Sequence, residues 1–165
     1  MFIERFGHNV DLFIAFTEKE IKARYKRAVF GLLWIIINPL LQMVVIGFVL
    51  SFFIKIDNYY PFLFSGLLFW NFTSSSLSTG TSSIVYSRDL LKKAKFPREA
   101  LVLSIVFANF YNLLISIGLF GLYLMLTSSL LLPNIFLLAP ALLWLLFLVS
   151  GLCLLTSSLN VRFRD

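Results

Sequence analysis

The chain has 165 residues, 59% of them hydrophobic and 13% charged, with a mean hydropathy of +0.91. Soluble domains are roughly half apolar and about a quarter charged, so too little charge is present here to cover a water-facing surface. The net charge of +6 is spread along the chain in step with the apolar runs, which argues for membrane lipid and against nucleic acid as its partner.

Residues 1–27 read as a cytoplasmic amphipathic interfacial segment. On a helical projection Phe6, Val10, Phe13, Ile14, Ile21 and Tyr25 fall on one side, and Asp11, Glu18, Lys19, Lys22 and Lys26 fall opposite. That pattern suits a helix lying in the membrane interface, or a plain basic anchor that only sets topology. Thr17-Glu18-Lys19-Glu20 fits a capping box and predicts a helix break near Thr17. Charge alternates with apolar groups throughout this segment, so no cleavable signal peptide is expected.

Residues 28–165 read as one transmembrane domain. Residues 28–54, 58–87 and 100–161 carry no charge. A spanning helix needs about 20 mostly apolar residues, so the first two runs hold one span each. The third holds two, divided at the Pro133-Asn134 turn. The predicted spans are about 29–54, 61–86, 100–128 and 135–158. Pro39 lies inside the first and is expected to kink it or to free the carbonyl near Ile35. Pro140 lies near the start of the fourth, where its missing N–H costs little.

The second span is unusual. Residues 73–83 hold nine hydroxyls in eleven positions, which serve either close helix packing or the lining of a wet path. Just before them stand Phe69, Trp70 and Phe72, whose rings either contact lipid or stack on sugars. Phe69, Trp70, Phe72, Ser74, Ser75 and Ser78 are the candidates for a substrate path. Tyr59 and Tyr60 fit an interface belt.

Lys and Arg orient the spans. Thirteen fall before span one, between spans two and three, and after span four, against Lys55 alone on the other side. The positive-inside rule puts the thirteen, and both ends of the chain, in the cytoplasm. The expected fold is all-α: a polytopic membrane helix bundle of four spans behind an amphipathic helix.

Catalytic signatures are missing. No phosphate-cradling Gly-x-x-x-x-Gly-Lys-Ser/Thr loop occurs. His8 is the single histidine and Cys153 the single cysteine, so histidine- or cysteine-based metal sites and disulfides within the chain are not expected. No ionisable side chain falls within a span, which disfavours ion-coupled transport. The reading is of a transport subunit, not an enzyme, that binds no cofactor itself.

Four segments resemble the ABC-2 type permeases that export O-antigen, capsular polysaccharide or teichoic acid. They are Arg24-Tyr25-Lys26-Arg27 with Gly31-Leu32-Leu33-Trp34 and Pro39; Phe64-Ser65-Gly66-Leu67-Leu68-Phe69-Trp70-Asn71-Phe72; Leu90-Leu91-Lys92-Lys93-Ala94-Lys95-Phe96-Pro97-Arg98; and Asn160-Val161-Arg162-Phe163-Arg164-Asp165. The resemblance implies six spans, of which four are read here, so the domain is expected to be incomplete at its C-terminus. It also implies a homodimer in the bacterial cytoplasmic (inner) membrane, a glycan on an undecaprenyl-type lipid as substrate, and a separate ABC ATP-binding subunit carrying ATP-Mg. An ABC-2 exporter of drugs or another lipid, and a lipid-carrier flippase without an ATPase, remain alternatives. A membrane-embedded enzyme is disfavoured, because candidate acids and bases lie only in loops.

With the energy source in a cytoplasmic partner, coupling must pass through cytoplasmic segments. The loop after span two permits a short helix over residues 89–95, stopped before Pro97. Leu90, Leu91 and Phe96 are candidate anchors on the ATPase, with Lys92, Lys93 and Arg98 at the rim. Arg24, Lys26 and Arg27 are further candidates for that contact.

Overall fold

The computed structural model describes residues 2–25, 33–52, 59–86, 98–127 and 135–163. All of this is helical apart from single residues at the ends of the second segment, and the described residues contain no strand. The helices are α1 (Phe2–Tyr25), α2 (Trp34–Ser51), α3 (Tyr59–Tyr86), α4 (Arg98–Thr127) and α5 (Ile135–Phe163). In hydrocarbon the backbone has no water to bond, and a helix satisfies its N–H and C=O groups internally.

At about 1.5 Å per residue, α3, α4 and α5 are each longer than the hydrocarbon thickness of about 30 Å. Arg98–Met125 and Phe136–Arg162 are long and apolar enough to cross a membrane on length and composition alone. The apolar stretch of α2, Trp34–Leu50, is shorter. Helix α3 has the length, but its hydroxyls dilute its apolarity.

Helix α3 is the hub, packing on α4 and α5 and, less extensively, on α2. Phe64 meets Phe120 with ring centroids 5.0 Å apart, and Phe72 meets Phe110 at 5.9 Å. The numbers fall along α4 as they rise along α3, so the two helices are antiparallel. Helix α5 runs the same way as α3: Gly80 faces Cys153 and Thr81 faces Thr156. The core joins Phe64, Leu68 and Phe72 to Val102, Val106 and Leu113 of α4 and Leu142, Leu146, Val149 and Cys153 of α5.

Small residues bring these backbones together. A β-carbon on Gly80 would stand 3.2 Å from Cys153 Sγ. Ser76, Ser83, Ser104 and Ser157 are buried nearby. Ser83 donates to Gly80 O at 2.7 Å, Ser104 to Leu101 O at 2.8 Å and Ser157 to Leu154 O at 3.0 Å, so these three hydroxyls are bonded within their own helices and add little bulk, whereas the buried Ser76 hydroxyl has no hydrogen-bond partner. At the ends of α3 and α5 a polar clasp forms. Thr81 Oγ1 donates to Thr156 Oγ1 at 2.8 Å, and Asn160 Nδ2 donates to Thr81 O at 3.0 Å.

Three expectations change in detail. Helix α1 is continuous, without a break near Thr17. The Thr17 hydroxyl donates back to Phe13 O at 2.9 Å, so it serves inside the helix instead of capping a new one. Phe13 packs edge-on against Phe107 of α4 at 5.1 Å while Ile14 stays exposed, so helix packing divides the expected apolar face. On the opposite side Glu18 and Lys22 pair across one turn, and the ammonium lowers the Glu18 carboxyl below its ordinary pKa. Last, α5 continues to Phe163, past the predicted end of span four near residue 158. The Asn160 contact with α3 holds that extra turn.

Candidate functional site

Helix α2 lies antiparallel to α3, with Gly47 beside Tyr60 and Gln42 beside Asn71. It touches α4 only lightly. Between α2, α3 and α4 a cleft therefore stays open. One end is a pocket of about 180 Å³. Trp34 and Asn38 come from α2, Asn71 and Ser75 from α3, and Asn109, Asn112 and Ser116 from α4. Asn71 Nδ2 donates to Gln42 Oε1 at 2.9 Å, fixing α2 against α3. No lining side chain is charged.

Ile35 and Pro39 also line this pocket. Proline at position 39 removes the N–H that the Ile35 carbonyl would accept in a helix. The expected freed carbonyl thus belongs to a residue of the pocket wall. Helix α2 nevertheless runs unbroken through Pro39.

A second pocket of about 310 Å³ adjoins the first at Ser116, which lines both. Its other walls include Leu40, Met43, Phe64, Leu119, Phe120 and Tyr123, and it is largely apolar. The cleft as a whole is polar and uncharged at one end and aliphatic and aromatic at the other.

The substrate-path candidates from the sequence separate onto different faces of α3. Phe72 is 4% exposed, belongs to the core and packs on Phe110. It also lines the polar pocket. Phe69 is half-buried against the same core. Trp70, two positions from Phe72, is 67% exposed on the outer face. Ser74, Ser75 and Ser78 are exposed, and Ser75 reaches the polar pocket. The hydroxyl run thus does two things. Ser76, Gly80 and Ser83 give close packing, while Ser74, Ser75 and Ser78 lie outside it.

Of the coupling candidates, Arg98 opens α4 and is exposed. Arg24 lies in the last turn of α1. Lys26, Arg27, Leu90, Leu91, Lys92, Lys93 and Phe96, with the short helix expected over 89–95, lie outside the described residues.

Sequence reasoning passed over the carboxamides. Their spacing carries a signal: Asn38 and Gln42 are four apart, Asn109 and Asn112 three apart, and such pairs share a helix face. Among the described residues no group of three or more His, Cys, Asp or Glu could hold a metal ion.

A family profile for ABC-2 type transporters matches residues 11–165. This chain belongs to that family. The chain is similar to two O-antigen export system permease proteins, RfbA, of Klebsiella pneumoniae and Myxococcus xanthus. The first is 31% identical over 173 residues, covering 96% of this chain and 62% of the relative. The second is 35% identical over 158 residues, covering 93% and 60%. Another K. pneumoniae RfbA is 29% identical over 171 residues, with 96% and 62% covered. The chain thus spans about three fifths of the length of the curated relatives it matches. Membership of this family, together with the apolar helices α4 and α5, makes the chain a multi-pass membrane protein. Subunits of this kind are the transmembrane part of a transporter and not its ATPase.

Proposed function

We propose that this chain belongs to the permease subunit of an ABC exporter that moves a lipid-linked polysaccharide of the O-antigen, capsule or teichoic acid type across the bacterial cytoplasmic membrane. The observation that carries the reading is the similarity to O-antigen export permeases along more than nine tenths of the chain. The cleft beside α3, polar at one end and apolar at the other, is in keeping with a ligand that has both a glycan and a hydrocarbon part. Transport is driven by a separate subunit that binds ATP-Mg, and two permease copies assemble with it. Deleting the gene from its host should abolish the surface glycan and leave lipid-linked glycan on the cytoplasmic side. The full-length gene should restore export only with an intact ATP-binding partner. Normal surface glycan in the deletion strain overturns the proposal.

In this reading α2, α3, α4 and α5 are four spans and the amino terminus is cytoplasmic. The antiparallel neighbours α2–α3 and α3–α4, with α5 parallel to α3, fit successive crossings. Single cysteines at Asp57 and Pro133, in a Cys153→Ser background, should label with an impermeant maleimide in intact cells. A cysteine at Lys93 should label only after the membrane is opened. The reverse pattern overturns the orientation.

A further inference from the structure

Asn160 opens the last of the four segments that carry the sequence resemblance, and it lines neither pocket of the cleft. It reaches across to α3 instead, where its Nδ2 donates to Thr81 O at 3.0 Å. A carbonyl oxygen has two lone pairs, so this bond is made without breaking the helical one. The Thr81 side chain is engaged as well. Its Oγ1 donates to Thr156 Oγ1 at 2.8 Å, and Thr156 Oγ1 donates on to Leu152 O at 2.9 Å. Hydrogen bonds in series polarise and strengthen one another. All three side chains are half-buried.

The rest of the α3–α5 contact shows what these bonds are for. Toward the starts of the two helices, Phe64, Leu68 and Phe72 share a core with Leu142, Leu146 and Val149. Large side chains pack as ridges into grooves and so resist sliding. Past Phe72 and Val149 the buried residues are Ser76, Gly80 and Ser83 on α3 and Cys153 and Ser157 on α5. Small residues let two backbones approach closely, but they raise no ridge that would stop one helix slipping along the other. At this end the clasp sets the register.

We propose that Asn160 and Thr81 are positioning residues for transport, which lock the cytoplasmic ends of α3 and α5 so that a push on residues 87–97 moves α3, α4 and α5 as one body. The inference rests on the permease reading and the topology above, in which both helices end on the cytoplasmic side. Residues 87–97 join α3 to α4, so the ends of those two helices follow the segment covalently. Helix α5 has no such link, because the chain reaches it only from the far end of α4. The clasp supplies one. Thr81 stands five positions before the end of α3 at Tyr86, about 7.5 Å along the axis, so little helix separates the pushed segment from the lock.

The test uses the full-length permease with its ATP-binding subunit. Asn160→Leu keeps much of the side chain's volume and removes the donor. It should lower surface glycan about tenfold, the order of effect of losing one hydrogen bond, while the purified complex hydrolyses ATP at its normal rate. A merely structural contact does not uncouple the two in this way. Asn160→Gln, which keeps the amide, should restore most of the export. A second measurement needs no change at Asn160, and so decides the matter even where Asn160→Leu fails to accumulate. Thr81→Cys with Thr156→Cys, in a Cys153→Ser background, should form a disulfide in isolated membranes treated with copper phenanthroline, because the hydroxyls they replace lie 2.8 Å apart. The yield should be the same with and without ADP-vanadate trapped on the partner. A yield that collapses in the trapped state, or no disulfide in either state, overturns the lock. Normal export by Asn160→Leu, or export and ATP hydrolysis that fall together, overturns its role in coupling. Each of these results leaves the permease reading standing if gene deletion abolishes surface glycan. A deletion strain with normal surface glycan overturns the permease reading and, with it, the transport role of the clasp, whatever the crosslink shows.

Discussion

Phe72→Ala is expected to destabilise the full-length permease by about 3 kcal/mol, while Trp70→Ala leaves stability within about 0.5 kcal/mol and lowers export. The two aromatics are two positions apart, so a helix turns them to nearly opposite sides. Phe72 is 4% exposed between Leu68, Val106 and Phe110, and Trp70 is 67% exposed. Truncating a buried Phe costs about 3–5 kcal/mol in water-soluble cores, through lost transfer energy and the cavity left behind. In a bilayer the transfer part shrinks, because lipid is as apolar as the core. The cavity and lost contacts remain, which sets the lower end of that range. Trp70 leaves no such cavity, and surface changes are usually within about 0.5 kcal/mol. The measurements are thermal unfolding in detergent and quantitation of surface glycan. A Trp70→Ala protein that exports normally removes that ring from the path. A Trp70→Ala protein that melts as early as Phe72→Ala shows that the outer face of α3 packs against something.

That split shows what the sequence could and could not reveal. The charge-free runs marked the positions of α2 to α5, and α4 and α5 are long and apolar enough to declare themselves without a partner. The predicted start of the third span, about residue 100, lies within two residues of α4, which opens at Arg98. Helix α5 extends five residues beyond the end predicted for the fourth span, where Asn160 bonds α3, a contact invisible without the neighbouring helix. Phe69, Trp70 and Phe72 formed one aromatic group in the sequence, yet burial divides them. The hydroxyl run left packing and lining as alternatives; Gly80 and Ser83 pack, while Ser74 and Ser78 are exposed. The polar end of the cleft draws on three helices whose residues lie 29 positions apart or more, as Gln42 and Asn71 do. Local periodicity indicates only that Asn109 and Asn112 share a face, not what lies opposite.

Leu91→Asp is expected to abolish export and weaken capture of the ATP-binding subunit by about a hundredfold, while Lys92→Gln with Lys93→Gln weakens it less than tenfold. The chain has no phosphate loop of its own, so on the permease reading work must enter from the partner through cytoplasmic segments. Residues 87–97 connect α3 to α4. Helix α3 touches α2, α4 and α5, so force applied to its end reaches the whole bundle, whereas α1 contacts mainly α4. In this segment Leu90, Leu91 and Phe96 are the only large apolar side chains among five charges, so they are the natural anchors for a groove on the partner. An unpaired charge in a desolvated contact costs about 3–5 kcal/mol, and each 1.4 kcal/mol is tenfold in affinity. Exposed lysines at a rim are worth about 0–1 kcal/mol each and fade with salt. The readouts are pull-down of the ATP-binding subunit at two salt concentrations and surface glycan in a strain carrying the full-length variant. A Leu91→Asp permease that still captures its partner and exports normally refutes coupling through this segment. A lysine pair whose loss equals that of Leu91→Asp at low salt, and shrinks as salt rises, makes the contact electrostatic instead.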